Sequence, residues 1–201
     1  MSDQPNDPAP RAGGLPPWLE DAERVDLALY AAIARTPTPA LDRAMSRVSR
    51  AADYSKISIA AAGLLAATGG GSGRRAATMG LASLGAAAAL FNLVAKPLSR
   101  RSRPDRVAGE VPIARHVRMP TSTSFPSGHT ASAFAFAAGV GRVLPQAAVP
   151  LHAVAAIVGY SRVHTGVHYP GDVVAGAVSG TIVAQLVTHA IDRRAASRNR
   201  R

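Results

Sequence analysis

Three short stretches hold residues able to work together on a phosphoryl group: Lys96 to Pro104, Pro126 to His129, and Ser161 to Asp172. As patterns they read K-x6-RP, PSGH and SR-x5-H-x3-D. A phosphoryl group in transfer spreads negative charge over its equatorial oxygens, so a protein catalyses the step largely by positioning and electrostatic stabilisation. Arg103 offers a planar, bidentate donor and Lys96 a point charge. Arg162 adds a third cation. Taken alone, the first stretch is as readily a basic loop against anionic lipid headgroups, and Arg100, Arg101 and Arg106 are assigned that role.

The histidines supply the reactive groups. His129 follows Pro126-Ser127-Gly128 at the start of an apolar run. Ser127 is placed to cap a helix and Gly128 lets backbone approach a ligand. Backbone N–H groups at such a helix start favour an anion. With an ordinary pKa near ~6.5, His129 suits a general acid. His168 precedes Tyr169-Pro170-Gly171, and Asp172 falls where the next helix begins. A carboxylate on one imidazole nitrogen leaves the other free to attack, so His168 is the candidate nucleophile and Asp172 its orienting partner. A rival arrangement, His164-x3-His168-x3-Asp172 as a metal site on one helical face, conflicts with Pro170, which cannot sit in continuous helix there. His164 is therefore a supporting or loop residue, and His116, His152 and His189 are structural or solvent-facing.

These residues must be positioned by apolar elements. The 201-residue chain reads as one domain; 47% of it is hydrophobic, with few aromatics. There is no cysteine, which excludes disulfides and thiolate metal sites. A net charge of +11 would ordinarily raise nucleic-acid binding, but the basic residues sit between apolar runs, a pattern that fits membrane loops. The expectation is no nucleic-acid partner. Residues 1–20, rich in Pro, Gly and Asp, read as a disordered tail. Residues 21–56 read as two amphipathic helices, the first with Val25, Leu29, Ala32 and Ile33 at helical spacing, suited to a membrane surface or, equally for this part alone, to a soluble helical hairpin. Uncharged runs at 57–73, 76–95, 130–141, 143–160 and 173–191 give about five transmembrane helices, since a span needs roughly 20 residues. Residues 192–201 read as a basic tail. The fold class is an all-α integral membrane bundle over 57–191. Gly176-x3-Gly180 suits close helix packing, preferentially inside the bundle. Cations fall on both faces, so orientation stays open.

The three patterns, in this order, resemble the signature of the type 2 phosphatidic acid phosphatase family, which shares its site with vanadium haloperoxidases. Every signature position between Lys96 and Asp172 is filled. The resemblance implies a helical bundle and hydrolysis of a phosphomonoester or diphosphate with no metal and no cofactor. It implies that His168 is the nucleophile, Asp172 its partner and His129 the acid for the leaving oxygen, with Lys96, Arg103, Ser127, Gly128 and Arg162 holding phosphate. Motifs that abut spans point to a lipid phosphate: an isoprenyl diphosphate, phosphatidic acid or phosphatidylglycerophosphate, in a bacterial cell membrane. The alternatives are a membrane protein that binds anionic lipid without catalysis and a vanadate-dependent haloperoxidase. Oligomeric state is not legible.

Overall fold

Proline opens four of the helices. Its missing N–H is one the first turn leaves unpaired anyway, and its φ is already helical. In the computed structural model, which describes residues 16–200, α1 (Pro17–Arg35) and α2 (Pro39–Ala51) form a hairpin. A kinked turn at Asp53–Ser55 leads into α3 (Lys56–Thr68), followed by α4 (Gly70–Leu98). A long loop then reaches α5 (Gly128–Gly141), α6 (Pro145–His164) and α7 (Pro170–Arg198). The described residues contain no strand. The all-helical class expected from sequence is the class observed.

Boundaries differ from the sequence expectation for physical reasons. The runs 57–73 and 76–95 were divided at Arg74-Arg75, but both arginines lie inside α4. Glycine makes the break instead. Gly70 has φ +57°, which ends α3 at 13 residues, a rise of only about 20 Å. A charge pair merely needs a wet surface; a left-handed residue stops the helix. Of the five helices on the expected runs, α4 and α7 are long and apolar enough to cross a membrane by length and composition. At the ends, α1 starts at Pro17, inside the stretch taken for a tail, and α7 continues through the basic segment to Arg198. The rest of the expected tail, residues 1–15, lies outside the described residues.

The interior is built from small residues. Ala62, Ala76, Ala77, Phe136 and Val140 form one buried cluster, and Ala87, Phe91, Ala131, Ala135 and Ala184 another. Gly176 and Gly180 bring α7 onto α5: a Cβ at Gly180 would stand 2.2 Å from the Ala131 carbonyl oxygen. The small-x3-small pattern is thus spent inside the bundle. Large side chains point outward instead, among them Leu64, Leu93, Val149, Val174 and Leu186. α1 has the same inverted character. Its Val25 and Leu29 are exposed while Asp26, Tyr30 and Ala34 are buried. Large apolar side chains turned away from the protein fit an apolar surrounding.

Two polar ties fix the ends. At one end Arg75 and Arg142 meet Asp192 at 3.4 and 2.9 Å. At the other, Arg115 is wholly buried; it donates to Asp42 at 2.7 Å and to the Ile33 and Ala34 carbonyls. Arg115 therefore clamps the α1–α2 hairpin onto the bundle. Tyr54 and Ser55, in the turn after α2, both have φ +57°. For non-glycine residues each such conformation costs on the order of 1–3 kcal/mol.

Candidate active site

Asp172 sits in the first turn of α7 because Pro170 starts that helix, and its Oδ2 accepts the Tyr169 backbone N–H at 2.9 Å. The i, i+4 relation to His168 then brings Oδ2 to 3.3 Å from His168 Nδ1. Ser124 Oγ donates to the same oxygen. Oδ1 is taken by Arg101 Nη1 at 2.9 Å. With Nδ1 facing a carboxylate and Nε2 facing the Arg103 guanidinium at 3.2 Å, the contacts assign the proton to Nδ1 and the lone pair to Nε2. His168 is buried, and that burial first, with Arg103 and Arg162 acting the same way against Asp172, pushes its pKa down to about 4. At neutral pH the imidazole is uncharged, the form a nucleophile needs.

The cations converge on it. Arg103 is itself pinned, giving hydrogen bonds to the carbonyls of Val167 at 2.7 Å, Ser122 at 2.7 Å and Thr123 at 3.1 Å. Lys96 follows a π-helical turn, Phe91–Ala95, a local unwinding frequently found at functional sites. Its ammonium holds Asn92 Oδ1 at 3.0 Å, and a Cβ on Gly128 would stand 3.4 Å from it. Gly128 thus lies against the Lys96 side chain. Arg162, buried in the last turn of α6, donates to the Ser49 carbonyl and hydroxyl at 3.1 and 2.8 Å. Its Nε has no partner among the described residues. A buried, unpaired guanidinium N–H is costly to keep and suits an anion. Lys96, Arg103 and Arg162 are near enough for their charges to act on one another and on His129.

Ser127 holds the N-cap position of α5 as expected, yet its side chain makes no cap. The hydroxyl accepts from Thr130 Oγ1 at 2.9 Å, and the Ser127 N–H donates to the Asp172 carbonyl at 3.0 Å. The serine therefore joins the PSGH loop to α7. His129 Nε2 lies 3.2 Å from Asp53 Oδ1. His129 also lines two spaces. One is an apolar cavity of about 110 Å³ with Ala61, Phe136, Leu151, Val154 and Val158; the other is a more polar recess of about 380 Å³ with Asp53, Arg118 and Ser122.

All eight residues singled out from sequence fall at this end of the bundle. Arg101 and Arg106 do not face outward as expected. Arg101 bridges Asp172 and Asp26, the latter at 2.5 Å, and stacks on Tyr169 at 4.4 Å; Arg106 donates to the Val117 carbonyl at 2.9 Å. His164 is turned from His168 to Asp42, 2.9 Å away, where it shares the buried tie with Arg115. His116 and His152 bond to main-chain carbonyls of Val111 and Ala148. Asp26, Asp53, Arg101 and Ser124 were not anticipated. Only Ser124, inside the Ser/Thr-rich loop before Pro126, had a local signal.

A helical bundle that gathers a His–Asp pair and three cations at one end is an arrangement suited to an anionic group. The chain belongs to the PAP2 superfamily, whose family model matches residues 77–196. It is 42% identical over 96 residues to a decaprenylphosphoryl-5-phosphoribose phosphatase of Mycobacterium tuberculosis, covering 46% of this chain and 49% of that one. It is 35% identical over 96 residues to a lipid A 1-phosphatase of Rhizobium etli, covering 45% and 40% respectively. The chain thus spans half or less of the curated relatives it matches. Two crystal structures share its fold. A transmembrane PAP2-type phosphatidylglycerolphosphate phosphatase from Bacillus subtilis matches at TM-score 0.65 and 24% identity, over 86% of this chain and 87% of that one. Aquifex aeolicus LpxE matches at 0.67 and 22%, over 82% and 95%.

Proposed function

We propose that the chain is a membrane phosphatase that removes a phosphoryl group from a lipid phosphomonoester or diphosphate through a phosphohistidine on His168. The observation that carries this reading is the arrangement at His168: Nδ1 is held by Asp172, which leaves the lone pair on Nε2, on the side of Arg103. Nε2 attacks phosphorus in line while His129 gives a proton to the departing oxygen. Water then attacks the N–P bond, His129 takes the water's proton, and inorganic phosphate leaves. Lys96, Arg103 and Arg162 hold the equatorial oxygens, and their positive charge supplies the stabilisation. No metal enters this scheme.

Three observations support a lipid substrate. The apolar cavity opens at His129, where the leaving oxygen would be; the bundle exterior is apolar; and both curated relatives carry lipid phosphatase names. The candidates are an isoprenyl phosphate or diphosphate, phosphatidic acid and phosphatidylglycerophosphate, in a bacterial cell membrane.

The test is phosphate release by the detergent-purified chain from these lipids side by side, with EDTA present throughout. Wild type should release phosphate from at least one, and His168→Ala should lose more than ~10³-fold. Activity that vanishes with EDTA and returns with a divalent ion would overturn the metal-free scheme. Lipid binding without any release would favour a binding protein.

A further inference from the structure

Asp53 belongs to none of the three motifs and lies outside residues 77–196, the stretch the family model matches. It stands in the turn between α2 and α3, with Oδ1 3.2 Å from His129 Nε2 and 3.6 Å from Arg162 Nη1. His129 has no other hydrogen-bond partner among the described residues, which leaves Nδ1 for a ligand. The charged groups around it are Arg162 on α6, Lys96 on α4 and Arg103 from the loop beyond it, with the neutral His168 alongside; Arg118 lines the same recess. Burial first, and then each of these cations, disfavours a charged imidazole and pushes the His129 pKa down to about 3. Asp53 is the carboxylate within hydrogen-bond reach among the described residues.

The backbone beside it points the same way. Tyr54 and Ser55 are both left-handed at φ +57°, although neither is glycine. Packing does not account for this, since Tyr54 is 80% exposed. Strain of this kind collects where a chain must aim a group. Here the turn places the Asp53 carboxylate on His129 while Ala52 and Ser55 line the apolar cavity beside the same histidine.

We infer that Asp53 is a positioning residue for His129, forming a second His–Asp pair whose task is to prepare the acid, as Asp172 prepares the nucleophile. This rests on the phosphohistidine reading. Asp53 accepts the Nε2–H, which turns Nδ1–H towards the leaving oxygen. The proton passes from Nδ1 to that oxygen as the P–O bond breaks, and Nδ1 recovers a proton from the water that cleaves the phosphohistidine.

An acid matters in proportion to how poor the leaving group is, and that separates this role from a structural one. Wild type, Asp53→Asn and Asp53→Glu would be purified as full chains in detergent and assayed on hexadecyl phosphate and on p-nitrophenyl phosphate, whose phenolate leaves without a proton. Asp53→Asn should lose about 10- to 100-fold in kcat on the alkyl ester and less than about 3-fold on the nitrophenyl ester. Asp53→Glu should restore part of the loss. Inhibition by inorganic phosphate should stay within about 3-fold of wild type, which also reports that the site is folded. Equal losses on both esters, or none on either, would overturn the assignment. So would a large gain in phosphate affinity with both rates preserved, which would make Asp53 a stand-in for phosphate oxygens. A wild type inactive on both esters and on the lipid panel would remove the phosphatase reading, and this pair with it.

Discussion

His168 is the residue whose surroundings say most about its use. In the unfolded chain it titrates near 6.5; in the bundle it titrates near 4. Between those values the unfolded state binds the extra proton, so stability rises with pH across the window and is lost as pH falls from about 6.5 towards 4. The full difference corresponds to on the order of 3 kcal/mol. Apparent melting temperature in detergent should therefore drop between pH 7 and pH 4.5, and His168→Asn should show a shallower drop. Equal slopes would mean that the imidazole is not held neutral. The motifs named His168, Asp172 and the three cations because local spacing carries them: histidine and aspartate stand four residues apart, on either side of the Pro170 that starts α7. Nothing in the spacing links position 26 or 53 to position 172 or 129. Asp26, which accepts from Gly171 N–H at 2.6 Å and from Arg101, reaches the site only once α1 has docked. Charge alone misled at Arg101, since a loop arginine looks the same in sequence whether it faces headgroups or a buried carboxylate.

At the scale of elements, the pairing of α5 with α7 decides the geometry of the site. α5 carries His129 at its start and α7 carries Asp172 at its start, so the distance between the two helices fixes the proposed acid against the partner of the proposed nucleophile. That distance is set by Gly176 and Gly180, which lie against Ser127 and Ala131. Gly180→Ala should destabilise the bundle by about 1–3 kcal/mol, because the atom it meets is backbone and cannot swing aside. Gly85→Ala is the control: nothing lies within 4 Å of its added Cβ, and removing glycine from a helix should leave stability unchanged or slightly raised. Melting temperatures of the two variants that move together would contradict this packing. The sequence patterns located these helices from their uncharged runs. They misplaced the α3–α4 junction because hydropathy registers Arg74-Arg75 more strongly than it registers a glycine that must turn left-handed. They missed the helical continuation of α7 to Arg198 because charge marks the end of a membrane run, whereas helix ends are marked by backbone.

The whole molecule is a bundle with unlike ends. Asp172 and Asp192 lie twenty positions apart on one unbroken helix, a rise of about 30 Å, close to the hydrocarbon thickness of a bilayer. One aspartate belongs to the site and the other ties Arg75 and Arg142 at the far end. The two ends should therefore open on opposite sides of the membrane. The chain has no cysteine, so single thiols report cleanly. In sealed vesicles, Val107→Cys, in an exposed loop near the site, and Ser197→Cys, near the end of α7, should react with an impermeant reagent from opposite sides. Labelling of both from one side would refute the arrangement. An active centre confined to one end has a consequence for how much substrate can be consumed. On the proposed lipid-phosphatase reading, only lipid in the adjoining leaflet can present its phosphate to Arg103 and His168. In vesicles that hold substrate in both leaflets and protein in one orientation, the reaction should halt near half completion, and it should resume only when detergent or a flippase delivers the remainder.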